Sequence, residues 1–77
     1  MNRCELANSV KLSLDQYFKD LDGEPPHALY VMVLSCIEKP LLEYTLQYAG
    51  GNQSKTAEIL GLNRNTLRKK MQLYKIE

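Results

Sequence analysis

Residues 51–70 read "GNQSKTAEILGLNRNTLRKK". Asn52 suits an N-cap, because its side chain can accept from the backbone of the turn it opens. Residues 53–60 then make two helical turns. Gly61 ends them where a left-handed backbone is needed, a conformation that costs glycine least. Asn63 caps a further helix over residues 64 to about 74. Ala57, Gly61 and Leu67 belong together. The small Ala57 lets the two helices approach, Gly61 permits the tight turn, and Leu67 fills the angle between them. That order and spacing is the pattern of a helix-turn-helix. Leu60, Leu62, Met71 and Tyr74 complete its small core.

The second of these helices decides what faces outward. Leu67, Met71 and Tyr74 share one face, and Asn65, Arg68, Lys69 and Gln72 project from the other. Arg64 and Thr66 stand at the N-terminal end, which enters the major groove first in such motifs. An arginine can bond bidentately to guanine O6 and N7, and an asparagine can bond to adenine. Thr66, Lys69 and Lys70 suit phosphates. Asn52 and Ser54 sit where free backbone N–H groups can help hold a phosphate.

The charge distribution agrees. Residues 1–51 carry Arg3, Lys11, Lys19 and Lys39 against seven carboxylates, a net −3. Residues 52–77 carry Lys55, Arg64, Arg68, Lys69, Lys70 and Lys75 against Glu58 and Glu77, a net +4. The whole chain has a formal charge of only +1, so the asymmetry points to a polyanionic partner at one end.

Upstream, Leu6, Val10, Leu14, Tyr17, Phe18 and Leu21 recur at spacings of 4, 4, 3, 1 and 3, one stripe of an amphipathic helix over residues 4–21. Asp22-Gly23 stops it. After Glu24-Pro25-Pro26 a second helix is predicted from near Pro26 to about Ala49, ended by Gly50-Gly51. Pro40 lies inside it and should kink it. Its first half, residues 28–34, is apolar on every side and needs cover on every side. The first helix supplies one side, and a second copy of the chain is the simplest cover for the rest. The predicted fold is therefore all-α. Residues 1–50 form a helical dimerisation region and residues 51–77 a helix-turn-helix region, together one compact domain of a two-fold dimer. Leu14, Phe18, Tyr30, Val33, Leu34, Ile37 and Leu41 are the predicted dimer contacts.

With 77 residues, 44% hydrophobic and 25% charged, the chain is one small globular domain. Cys4, Cys36 and the single His27 offer no zinc ligand set, and Cys36 reads as a reduced core thiol beside Ser35. No apolar run approaches the roughly 18 residues of a membrane helix. No metal cluster, phosphate loop or nucleophile–base pair is visible, so neither a cofactor nor an enzymatic activity is expected.

The stretch "KPLLEYTLQYAGGNQSKTAEILGLNRNTLRKKMQLY" resembles the C-terminal part of the Fis family of bacterial nucleoid proteins. Its skeleton is PLL, GNQ, A…LG, NR and TLRKK, and "SVKLSLDQYF" and "LY…VL…IEKPLL" extend the similarity upstream. The resemblance implies a dimer of four-helix subunits that bends DNA and regulates transcription in the bacterial nucleoid. Its paired recognition helices lie closer together than one turn of B-DNA. It implies DNA contacts at Asn52, Gln53, Ser54, Asn63, Arg64, Thr66, Arg68, Lys69 and Lys70, with bases read mainly by Asn63, Arg64 and Arg68. Asn65 stands where a glycine is usual and adds a polar group to that face. RNA polymerase is a candidate further partner. The enterobacterial protein carries a mobile β-hairpin arm ahead of its first helix that touches a DNA invertase. Here Met1 lies only a few residues before that helix, so a recombinase contact is not expected. The helix-turn-helix is also similar to the C-terminal DNA-binding domain of NtrC-type activators, the second reading of the chain. A protein-interaction adaptor without DNA binding is the third.

Overall fold

The computed structural model describes residues 2–76. Met1, on which the expectation about an N-terminal arm rests, and Glu77, one of the C-terminal carboxylates, lie outside the described residues. Four helices follow one another: α1 (Arg3–Asp20), α2 (Leu29–Tyr48), α3 (Gln53–Leu60) and α4 (Arg64–Leu73). Among the described residues there is no strand, and no helix is long and apolar enough to cross a membrane.

α1 opens on Asn2, whose side chain accepts from the Cys4 N–H at 2.8 Å. It closes at Leu21, followed by the left-handed residues Asp22 and Gly23. α2 begins at Leu29, three residues later than the proline signal predicts. The reason is local. Ala28 takes a left-handed φ of 51°, which a right-handed helix cannot include, so no helical turn runs through it from Pro26. Pro40 does lie inside α2.

Three helices end in the same way. Past α3, the Leu62 N–H bonds to the Ala57 carbonyl at 2.9 Å and the Gly61 N–H to the Glu58 carbonyl at 3.2 Å. This is the Schellman pairing, with Gly61 at φ 73°. α2 repeats it through Gly50 and Gly51, and α4 through Lys75 and Ile76. Each ending turns the chain sharply, and those of α3 and α4 put an apolar side chain, Leu62 and Ile76 respectively, back against the core.

That core sits at the helix-turn-helix. Leu42 of α2, Ala57 of α3, and Leu67 and Met71 of α4 are buried, with Leu46, Leu60, Leu62, Tyr74 and Ile76 packed around them. Thr56 is buried too, and its hydroxyl donates to the Asn52 carbonyl at 2.8 Å, so its polar atom is satisfied. The core crosses the predicted boundary at residues 50–51, because Leu42 and Leu46 belong to α2.

The other half of the chain is open. No side chain of α1 is buried. α1 and α2 flank an apolar groove of about 320 Å³ lined by Val10, Leu14, Tyr17, Met32, Val33 and Ile37. Cys36 also lines it and is an exposed free thiol, not the core residue that its apolar neighbours suggest. The radius of gyration is 15.0 Å, against about 11–12 Å for a compact domain of this length.

Leu67 fills the inter-helix angle with no exposed surface, whereas Leu73, on the same helix, is 70% exposed. Leu67→Ala should cost about 2–5 kcal/mol of stability. Leu73→Ala should stay within about 0.5 kcal/mol. Thermal and urea unfolding of the two variants beside wild type checks this, and equal losses would contradict the assigned core.

Candidate nucleic-acid interface

Asn52 and Asn63, which open α3 and α4, are both held by their own helices. Asn52 Oδ1 accepts from the Lys55 N–H at 3.0 Å and Asn63 Oδ1 from the Asn65 N–H at 2.8 Å. The caps position the N-terminal turns of both helices and leave the two side-chain NH₂ groups to donate elsewhere. Arg64, Asn65, Thr66, Arg68 and Lys69 are all exposed along α4, as is Ser54 on α3, while Gln53 is half-buried. Among the described residues, Arg64, Arg68 and Lys69 pair with no carboxylate; the ion pairs are Lys19–Asp15 and Lys70–Glu38. The three unpaired cations of α4, with the asparagines that cap α3 and α4, carry donors suited to phosphate oxygens and guanine edges.

Lys70 does not share that face. Its Nζ lies 2.9 Å from Glu38 Oε2 on α2, and the Tyr74 hydroxyl donates to Glu38 Oε1 at 2.7 Å. The Tyr74 hydrogen bond and Lys70 hold the Glu38 carboxyl below its ordinary pKa, and the same bond raises that of the Tyr74 phenol. The sign follows for stability. A lowered carboxylate pKa stabilises the fold above the unfolded value, and this contribution is lost as pH falls through the folded value. Lys70 stands three positions after Leu67, so about 60° around the helix from the buried residue. A helical wheel could therefore have separated it from Lys69. Glu38 is 32 positions away from Lys70, and no local spacing announces it.

The predicted dimer residues fall on α1 and α2 as expected from their periodicity. Leu14 and Val33 are half-buried beside the groove, and Phe18, Tyr30, Leu34, Ile37 and Leu41 are exposed. Tyr44 and Tyr48 extend the exposed set and were missed by the sequence reading. Tyr30, Leu34, Ile37, Leu41, Tyr44 and Tyr48 follow one another at spacings of 4, 3, 4, 3 and 4, a signal present in the sequence.

Residues 34–74 match the family described as bacterial regulatory protein, Fis family. The chain is 53% identical over 74 residues to a Fis-like DNA-binding protein of Ralstonia nicotianae, a match that covers 96% of each chain. It is 52% identical over 67 residues to a Fis-like DNA-binding protein of Neisseria meningitidis, covering 87% of this chain and 85% of that one. It is 49% identical over 69 residues to the DNA-binding protein Fis of Mannheimia haemolytica, covering 90% of this chain and 70% of that one. The Ralstonia match runs through α1 and α2 and is not confined to the helix-turn-helix that NtrC-type activators share. With its four helices and exposed cationic α4, the chain is a DNA-binding helix-turn-helix protein and belongs to the Fis family.

Proposed function

We propose that the chain works as a homodimer that sets two α4 helices into adjacent major grooves, bends the duplex, and regulates transcription within the bacterial nucleoid. Residues 1–50 serve dimerisation and residues 51–77 serve DNA contact. The observation that carries this reading is the exposed apolar stripe along α2. Its three tyrosines are 76–82% exposed in the single chain. A repeat averaging 3.5 residues is the seam that a second helix covers by knobs-into-holes packing. A 20-residue helix offers that seam over about 30 Å. Pairing two copies through α1 and α2 covers the seam and puts the two cationic helices on one assembly. The relatives' names as DNA-binding proteins support the partner.

Ile37→Asp places a charge in the centre of that seam. The variant should lose the dimer and its cooperative fold together, read by sedimentation and by thermal unfolding. A folded, monomeric Ile37→Asp protein would show that the dimer is not obligate.

Asn63 combines a cap with a DNA-facing donor, and two variants separate these roles. Asn63→Asp keeps the capping oxygen and should leave stability within about 0.5 kcal/mol, while removing the donor and lowering DNA affinity. Asn63→Ala should lower affinity and also cost about 1 kcal/mol of stability. Unfolding and fluorescence anisotropy on the same samples check both. Full affinity in Asn63→Asp would remove Asn63 from the interface.

Two recognition helices fit straight B-DNA when they lie about 34 Å apart. In the family they lie closer, so adjacent major grooves are reached by narrowing the minor groove between them and bending the duplex toward the protein. That deformation is easiest in A/T-rich sequence. Sites with A/T centres should bind more tightly than sites with G/C centres and show position-dependent mobility in circular-permutation gels. Equal affinity for both, with flat mobility, would exclude bending.

A further inference from the structure

We propose that Glu38 withholds Lys70 from DNA phosphates and so limits sequence-independent affinity, acting as a positioning residue that itself touches no DNA. The proposal rests on the reading of α4 as the DNA-contacting helix. Lys70 directly follows Arg68 and Lys69, the cations aimed outward, yet its Nζ is turned back to Glu38 at 2.9 Å. The grip is firm for a particular reason. Both Glu38 oxygens are engaged, one by Lys70 and the other by the Tyr74 hydroxyl at 2.7 Å. Tyr74 in turn packs against the helix-turn-helix core.

Comparison with Lys19–Asp15 shows what this anchoring adds. That pair leaves both side chains 69% and 64% exposed, so screening and lost side-chain entropy offset its attraction. In the Lys70–Glu38 pair the side chains are 31% and 16% exposed, and Glu38 is already fixed by Tyr74. Moving Lys70 onto a phosphate would leave a half-buried carboxylate without its cation, facing a polyanion. A bridging geometry changes little. An ammonium has three donors, but the Glu38–Lys70 pair remains net neutral and displaces no counterion from DNA.

The consequence is a measurable count of ions. Each protomer binds DNA with one fewer effective cation than its sequence suggests. Glu38→Gln keeps an acceptor for the Tyr74 hydroxyl and removes only the charge that holds Lys70. The released Lys70 should add about 0.9 per protomer, or roughly 1.8 per dimer, to the slope of log affinity against log salt.

The experiment is fluorescence anisotropy of a random-sequence duplex over a salt series, with wild type, Glu38→Gln and Glu38→Gln/Lys70→Gln. Glu38→Gln should show a slope steeper by about 1.8 and roughly tenfold tighter binding at low salt, and the double variant should return to the wild-type slope. If wild type and Glu38→Gln share a slope and the double variant falls below both, Lys70 already rests on phosphate and the proposal is overturned. Three equal slopes place Lys70 out of reach of DNA and overturn it as well. The wild-type protein supplies a second measurement should Glu38→Gln not fold. In NMR spectra of lysine Nζ, DNA binding should shift the Lys69 ammonium signal and leave that of Lys70 near its free position. A Lys70 shift as large as that of Lys69 overturns the proposal. Absence of wild-type binding at every salt concentration would instead overturn the interface reading on which the proposal rests.

Discussion

α2 has to satisfy three surroundings at once, and the rest of the molecule is arranged by that demand. One stripe, Glu38, Leu42 and Leu46, faces α3 and α4. A second, Met32, Val33 and Cys36, borders the groove with α1. A third, from Tyr30 to Tyr48, is exposed. The first and third stripes are offset by one residue, about 100° around the helix, so no single neighbour can cover both. The helix-turn-helix is therefore bound to the same helix that carries the open seam. Any partner that fixes α2 also fixes α4 through Leu42 and Glu38.

That coupling explains where order is concentrated. A two-turn helix such as α3 is too short to be stable by itself. It persists because Asn52 closes its N-terminus, the Schellman turn at Gly61 closes its C-terminus, and Ala57 and Thr56 are buried beneath it. The caps orient as well as stabilise. Asn63 begins α4 two residues after the left-handed Gly61, so the direction in which α4 leaves is set by backbone hydrogen bonds and the side chain of Leu67. α1 has no comparable anchor: its residues contribute to a groove and none is buried.

Most of this arrangement was legible in the residues. The limits of α3, both asparagine caps, the left-handed Gly61 and the burial of Ala57, Leu67 and Met71 all follow from short-range rules of capping, turn geometry and 3.6-residue periodicity. The start of α2 did not, because proline is tolerated at a helix N-terminus and equally suits the extended link that precedes Ala28. Burial of Thr56 was missed because a threonine hydroxyl hides readily when it can bond to a carbonyl one turn back, as it does to Asn52. The apolar neighbours of Cys36 point to core, but a helix apolar on three sides has more surface than one small chain can cover, and the thiol is exposed. Tyr44 and Tyr48 continue a 4-3 repeat, yet tyrosine often lies at surfaces and periodicity alone does not assign it to a seam. The Glu38–Lys70–Tyr74 cluster joins two helices far apart in sequence, a contact that depends on the tertiary fold.

In the proposed complex, the caps also constrain what α4 can read. Asn63 Oδ1 accepts from the Asn65 N–H, so the side-chain group most available to DNA is the NH₂ donor. Bidentate recognition of adenine needs an asparagine that donates to N7 and accepts from N6–H₂ together. A capping asparagine holds its oxygen toward its own helix, which favours targets that only accept: guanine N7 or O6, thymine O4, or a phosphate oxygen. Arg64, the next residue, is a pure donor with the same preference for guanine. In the proposed complex, two neighbouring positions at the tip of α4 therefore favour acceptors, one because of its chemistry and the other because its oxygen is already held by its own helix through one of its two lone pairs. On the proposed reading of α4 as the DNA-contacting helix, base discrimination at that tip depends as much on how α4 begins as on which side chains it displays.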